Sequence, residues 1–437
     1  MNQSRAGAQT TSGEIPDVRW IVAQEGSRQS YAVPLAFHRL GALKLFYADI
    51  WMRQGRSWLK RGPGGARALA GRYLAEIPEE RVVSFNLPAV IAKTREHFVR
   101  GWQAQRAKGA YFCNFGKWFA TRVRDHLSGE RLDPSVDAFF GFDTNSLEVL
   151  EMLKERGVLT VLDQVDPGVV EEEMVIEEAQ RWPGWERIPG RLPDHYRERR
   201  EAEWRLADLV LVNSEWSRDA LVQQGVAAEK IVVVPLAIDL RHDHEAEPVE
   251  AKGRLKVLWL GSLILRKGIQ YLIDAARLLQ DRDIEFILAG PLGISHKVIE
   301  VLPENMKVLG RVTRDQLGAV YRQAHVFVLP TISDGFAITQ LEAMAHGLPV
   351  VITPNCGRVV TDGLDGLVVP ARNGKALADA LARLESDREL VREMSRNALR
   401  TVRRYDLPSN ARMIGEIAAR HRSKFGGAQK RQELARS

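Results

Sequence analysis

The chain has 437 residues, 45% hydrophobic and 27% charged, with a formal net charge of +6 and two cysteines, Cys113 and Cys356. That is long enough for two or three domains with cores of their own and excludes a disordered or fibrous protein; two cysteines exclude a disulfide framework or a cysteine-built metal site and fit a reducing compartment. No apolar run approaches the roughly 20 residues a membrane-crossing helix needs, and the opening MNQSRAGAQTTSGEIPD lacks the basic-then-apolar layout of a secretory signal, so a cytoplasmic location is expected.

Residues 1–17 are polar, rich in Gly, Ser, Thr and Gln, and are expected to be disordered. The apolar run 18–23 reads as a first strand, followed by Gly26 and Ser27 and a helical pattern over 33–43. Further strands are predicted at 45–48, 81–85, 138–141, 159–162, 209–212 and 231–234, with helices at 147–156 and 196–207 among them. Ser214 is a good N-cap for the helix EWSRDALVQQ, which Gly225 ends. The alternation predicts a first α/β domain over 18–240 built on a parallel sheet.

Two stretches interrupt this rhythm. Arg53, Arg56, Lys60, Arg61, Arg67 and Arg72 are interleaved with Trp51, Met52, Trp58 and Leu59, as in an interfacial segment touching anionic lipid; a solvated loop with packed tryptophans is the alternative. Residues 167–204 form a long excursion in which Glu171, Glu172 and Glu173 read as a solvated helix start, because adjacent carboxylates point in different directions and have no histidine beside them for a metal. Trp182 and Trp185 either line an acceptor site or pack beneath the loop. The polar run RHDHEAEPVEAKGR, residues 241–254, is the expected interdomain linker, with His242 and His244 exposed in it. The basic residues form no recognisable motif for reading nucleic acid.

A second domain is expected over 255–405, with strands at 256–260, 285–289, 307–309, 326–329 and 349–353, helices at 268–279, 315–323 and from about 339, and helices over 374–404. A last helix and a basic tail occupy 406–437. Strands alternating with helices imply a doubly wound parallel sheet whose ligands bind outside the carboxyl ends of the strands. Two loops open on that edge: Gly261, Ser262 and Leu263 leading to Arg266, Lys267 and Gly268, and Asp334, Gly335 and Phe336 leading to a helix at Thr339. The first N–H groups of a helix lack partners and carry partial positive charge, which suits a phosphate, and Gly335 lets the backbone approach it. Asp334 and Glu342 add carboxylates suited to the hydroxyls of a sugar or ribose, and Lys267 adds a cation that would neutralise a departing phosphate. Each loop alone also fits an ordinary packing unit, with Asp334 as a helix cap and Lys267 as a surface lysine; the pair together points to a diphosphate.

The segments VLWLGSLILRKGIQYLIDAARLL, GRVTRDQLGAVYRQAHVFVLPTISDGFAITQLEAMAHGLPVV and VVTDGLDGLVVPA resemble the nucleotide-sugar-binding domain of family 4 glycosyltransferases of the GT-B fold, nearly continuously over 255–404. LADLVLVNSEWSRDALVQQGVAAEKIVVVPLAID, starting at Leu206, resembles the end of the same family's N-terminal domain. The resemblance implies two Rossmann-like domains facing a cleft and a retaining transfer from a nucleoside diphosphate sugar to a hydroxyl acceptor, such as a carbohydrate or a lipid-linked precursor. It implies Lys267 on the diphosphate, Glu342 on the ribose hydroxyls and Asp334 on the donor sugar. Gly261, Ser262, Arg266, Gly335, Phe336, Ala337, Ile338 and Thr339 would surround the donor, and Gly26 would belong to an N-terminal loop closing over the phosphates. No cofactor or metal is required, because the departing phosphate oxygen takes the acceptor's proton. The chain departs from the family at Ser262, where Arg is common, at Asp334, one methylene shorter than Glu, and at Cys356, Gly357 and Arg358, where Gly-Gly and Glu are usual. Asp163 and Gln164 stand where the N-terminal domain usually presents a histidine. A nucleotide-sugar epimerase or a non-catalytic nucleotide-sugar-binding subunit could share the fold.

Overall fold

The computed structural model describes residues 18–53, 69, 71–100, 105–240, 246–250 and 252–434. The polar N-terminus, most of the basic tryptophan-containing run, and His242 and His244 lie outside the described residues. The first half forms strands β1 (Arg19–Gln24), β2 (Leu43–Ala48), β3 (Val82–Ser84), β4 (Asp137–Phe142), β5 (Leu159–Gln164), β6 (Leu209–Val212) and β7 (Ile231–Val233). They pair in parallel in the order β3-β2-β1-β4-β5-β6-β7. The second half adds β8 (Leu255–Leu260), β9 (Ile284–Ala289), β10 (Met306–Gly310), β11 (Val326–Leu329), β12 (Val350–Ile352) and β13 (Gly366–Val368). These are again all parallel, in the order β10-β9-β8-β11-β12-β13.

Parallel strands need apolar cover on both faces, and the period-two alternation supplies it. Trp20 and Val22 of β1 join a core with Phe37 and Phe140 on one face, while Ile21 and Ala23 join Phe119 and Phe139 on the other. In β8, Val257 and Trp259 face one core and Leu258 the opposite one. Both sheets are therefore doubly wound. No helix among the described residues is long and apolar enough to cross a membrane.

Several element boundaries differ from expectation. The helix read over 33–43 is Ala32–Arg39, because Gly41 at φ +70 turns the chain and Leu43 already belongs to β2. The helices expected over 374–404 are present as Gly374–Ser386 and Arg388–Val402, divided at Asp387, whose carboxylate caps the second by accepting the Leu390 N–H at 2.9 Å. Helices Asn86–Arg100 and Gln105–Ser128 and the short strand β13 were not predicted.

The chain passes between the two sheets twice, side by side. Ile238 donates its N–H to the Tyr405 carbonyl at 3.0 Å, and Asn410 donates to the Pro235 carbonyl at 2.7 Å. The final helix, Leu407–Leu434, then returns to the first sheet, where Leu407, Ala411, Ile414 and Ala418 at helical spacing enter its core.

The excursion after β5 behaves as a strap. Its helix Val169–Arg181 leaves the first sheet and carries Glu178, fully buried, onto the helix Ile269–Leu278 of the second half. Glu178 accepts from Tyr271 Oη, from Gln270 Nε2 at 2.9 Å and from Trp182 Nε1 at 3.1 Å, with Arg372 Nε 2.9 Å away. Trp185 packs against the core of the second sheet and its carbonyl accepts the Ser295 N–H at 2.7 Å; Glu186 accepts the Leu265 N–H at 2.6 Å. The two tryptophans meet each other at 4.9 Å and Trp182 meets Tyr271 at 6.0 Å, so they pack under the strap. Removing a buried carboxylate that satisfies several donors costs about 3 kcal/mol. Glu178→Ala is therefore expected to lower the thermal midpoint clearly and Glu178→Gln, which keeps an acceptor, to lower it less; a loss in Glu178→Ala below about 0.5 kcal/mol, the range of ordinary surface changes, would remove the strap's structural role.

Candidate functional site

In an open parallel sheet the crevice for ligands lies where strand order reverses, because loops from the two neighbouring strands leave in opposite directions there. In the second sheet that point lies between β8 and β11. The loops that follow these strands are the two the sequence singled out. They touch through Gly268, which has φ +78 and faces Pro330 so closely that a Cβ would lie 1.8 Å from its carbonyl oxygen; only glycine fits. The Arg266 carbonyl accepts from Thr331 Oγ1 and from the Ile332 N–H, both at 3.0 Å, tying one loop to the other.

This junction brings Lys267, Arg266 and Asp334 together. Lys267 Nζ forms an ion pair with the Asp334 carboxylate. Arg266 Nη1 donates to the Ser333 carbonyl at 3.0 Å and lies 3.8 Å from Asp334 Oδ2 and 3.4 Å from Glu171 Oε2. Burial pushes the Asp334 carboxyl up, but Lys267 and then Arg266 outweigh it and hold it below the ordinary carboxylate value, helped by the Phe336 N–H. Ser262 is exposed beside the strand end at Gly261. The Arg266 guanidinium is turned toward Ser333, Asp334 and Glu171.

The first half supplies the opposite wall. Gly335 lies against the backbone of Val165 and Asp166, where a Cβ would come within 2.2 Å of the Val165 carbonyl. Trp216 Nε1 donates to Ser333 Oγ at 3.0 Å, Ser333 Oγ donates to Glu171 Oε2 at 2.9 Å, and Ser217 Oγ donates to the Gly335 carbonyl at 3.4 Å. The expectation that Glu171 belongs to a solvated helix start is therefore corrected. Glu172 and Glu173 do turn back to their own strap, toward the Leu192 N–H and Arg191, but Glu171 points across the cleft with its side chain 17% exposed. Burial pushes its carboxyl up to about 7, against the pull of Arg266.

The remaining residues take these places. Phe336 is 3% exposed, its ring against Gly357, where a Cβ would come within 2.1 Å of it, so Gly357 makes room for that ring. Ala337 has φ +61, Ile338 precedes the helix, and Thr339 opens Thr339–Ala345. Glu342, one turn in, is half-buried; its Oε2 accepts from Tyr321 Oη at 2.9 Å. Gly26, at φ +77, donates its N–H to Asp49 Oδ1 at 3.0 Å and lies beside the Arg72 guanidinium. No hydrogen bond among the described residues joins it to Lys267 or Asp334; from the second half, Arg314 Nη2 donates to Ser30 Oγ of this loop. Gln29, Ser30 and Tyr31 there have three successive positive φ angles, 46, 57 and 66. Asp163 is buried at the end of β5, its carboxyl pushed up by burial to about 7.

Sequence reading missed Glu171, Trp216, Ser333 and Tyr321. Ser333 adjoins Asp334 in the chain and could have been included on that ground; the others reach the site only through helix phase and the meeting of the two halves. Lys267, Arg266, Asp334 and Glu171 meet at this junction, and Glu342 lies one turn into the helix that follows, a set of groups suited to a diphosphate joined to hydroxyl-bearing groups.

The family model described as "Glycosyl transferases group 1" matches residues 254–387. The chain is 30% identical over 198 residues to the MMP alpha-(1->4)-mannosyltransferase of Mycolicibacterium hassiacum, covering 43% of this chain and 47% of that protein. It is 29% identical over 230 residues to the D-inositol 3-phosphate glycosyltransferase of Pseudarthrobacter chlorophenolicus, covering 46% and 54%. These matches span about half the length of those relatives. Among solved structures, a sucrose-phosphate synthase from Thermosynechococcus elongatus superposes with a TM-score of 0.63 at 17% identity over 96% of this chain and 100% of that one. Anabaena HepE in complex with UDP superposes with a TM-score of 0.57 at 16% identity over 92% and 99%.

The cross-cleft carboxyl has a pH signature. A carboxyl whose folded pKa is raised holds its proton more tightly in the folded state, so stability falls as pH rises from the unfolded value near 4.5 to the folded value of about 7. Glu203 and Asp163 are also pushed up by burial to about 7, so the wild-type thermal midpoint is expected to decline over this window. Glu171→Gln removes one contributor and should flatten the decline; a midpoint-versus-pH curve parallel to wild type would contradict the assignment.

Proposed function

Because the chain belongs to the group 1 glycosyltransferases, the family 4 enzymes of GT-B fold, we propose that it is a retaining glycosyltransferase that moves a sugar from a nucleoside diphosphate donor to a hydroxyl acceptor. The observation that carries this reading is the meeting of Lys267 and Asp334 at the reversal point of the second sheet. Without donor, the ammonium and the carboxylate satisfy one another. With donor, Lys267 turns to the diphosphate and Asp334 to the sugar hydroxyls, each exchanging one charge-assisted contact for another. Glu342 holds the ribose, and the N–H groups from Phe336 to Thr339 complete the cradle. Lys267 then stabilises the charge that grows on the departing diphosphate, whose oxygen takes the proton of the incoming hydroxyl on the same face of the sugar. UDP is the carrier favoured for a first trial, since HepE is known in complex with it. The acceptor is a carbohydrate or a lipid-linked precursor.

Lys267→Ala is expected to lower turnover by about 10²–10³, the scale for removing one preorganised charge-stabilising group, and Glu342→Ala to raise the donor KM, since a ribose contact acts equally on bound donor and transition state. Wild-type transfer by both variants would refute the site. The donor is identified by thermal shift with UDP-, GDP- and ADP-sugars, since a ligand at about 100 times its Kd stabilises by about 2.7 kcal/mol.

Peripheral contact with an anionic membrane is a separate part of the proposal. Trp51 is buried against Tyr31 and Phe46 and Arg72 lies 3.4 Å from the buried Asp49, so these two serve the fold instead, while Arg53 stands exposed in a surface pair with Glu79. The contact would use Arg56, Lys60, Arg61 and Arg67, which lie outside the described residues, together with the basic C-terminal tail. Binding to phosphatidylserine vesicles is expected at low salt and release at high salt; no binding at low salt would remove this part.

A further inference from the structure

We propose that Tyr321 is a positioning residue that presents Glu342 to the ribose of the donor, a role that rests on the reading of Glu342 given above. Tyr321 stands on the helix Leu317–Arg322, in the connection leading into β11, and is 1% exposed. Its hydroxyl donates to Glu342 Oε2 at 2.9 Å. Its ring is fixed by a stack on His346 at 4.7 Å and 20° and by Phe327 at 6.2 Å. His346 in turn closes the end of the Glu342 helix: its Nδ1 lies 2.8 Å from the Glu342 carbonyl, and its N–H donates to the carbonyls of Ala343 at 3.0 Å and Glu342 at 3.3 Å. The contacts form a closed ring, from the Glu342 carbonyl to His346, to Tyr321, and back to the Glu342 carboxylate. Backbone and side chain of Glu342 are thereby held by the same two aromatic residues.

The chemistry of this arrangement fits a hydroxyl ligand. No lysine or arginine among the described residues forms a salt bridge with Glu342, and its Oε1 accepts no hydrogen bond from a described residue. A carboxylate held by one hydroxyl, with its second oxygen open and no cation competing for it, is an acceptor for neutral hydroxyls such as those of a ribose. A free glutamate turns about three side-chain bonds, and ordering them would oppose binding. Tyr321 orders them beforehand. Because ribose contacts persist from bound donor to transition state, the effect falls on KM and leaves kcat alone.

The test uses the full chain and Tyr321→Phe, which keeps the ring and its stack on His346. Binding of UDP, GDP and ADP and of their 2′,3′-dideoxy counterparts is measured by calorimetry for wild type, Tyr321→Phe and Glu342→Gln. For the nucleotide that wild type binds, Tyr321→Phe should weaken binding about five- to tenfold, the scale of one hydrogen bond, and leave the dideoxy form unchanged. The KM for the donor should rise by the same factor, with kcat within about twofold of wild type. Equal weakening of both forms, unchanged binding of both, or a fall in kcat alone would overturn the proposal. Glu342→Gln separates the two readings. If that variant still distinguishes ribose from dideoxyribose as wild type does, Glu342 is not the ribose ligand and the role of Tyr321 falls with it; if it loses the distinction while Tyr321→Phe keeps it, only the Tyr321 role is wrong.

Discussion

Carboxylates removed from water between the two halves of the chain are the constraint on which the rest of the structure depends. Glu171, Glu178 and Glu186 all come from the strap that follows β5, and each finds donors on the second half: Ser333 and Arg266, Tyr271 and Gln270, and the Leu265 N–H. A buried carboxylate without such partners costs several kcal/mol, so the halves fit in one register and poorly in any other. An apolar contact of similar area would tolerate sliding; this one does not.

That register sets the state of the crevice. With Glu171 bonded to Ser333 and Gly335 against Val165, the loop carrying Asp334 is held from the first half while Lys267 holds it from the second. Without a ligand, Arg266 is engaged by Glu171 and Asp334, and Lys267 by Asp334. A diphosphate bound at this place would have to replace these ion pairs, so its affinity would be the difference between two sets of them.

What the sequence revealed follows from how local the signals are. The period-two runs and the Gly-containing turns of the second half marked its βα units well, and Lys267 and Asp334 were found because each lies a few residues beyond an unmistakable strand. The helices Asn86–Arg100 and Gln105–Ser128 escaped notice since aromatic and basic residues fall on every side of them, and β13 is three residues long. Glu171 was misread for a different reason. Three consecutive glutamates look alike in a sequence, and only the phase of the helix and the position of the other half decide that the first faces the cleft and the next two do not. Tyr321 lies 21 residues before its partner Glu342, on the far side of a strand, where no spacing rule connects them.

The strap also means that the chain's covalent order and its mechanical order differ. Residues 169–188 are continuous with the first sheet but rest on the second, entering through Pro167 and Gly168 at φ +70 and leaving through Pro189, Gly190 and Pro193. An exchange of nucleotide-side units between relatives, cut at the visible linker near residue 240, would leave Tyr271, Gln270 and the Leu265 N–H facing a foreign surface without their acceptors. The transferable module is discontinuous, and a chimera that respects it carries the strap along with the sheet it covers.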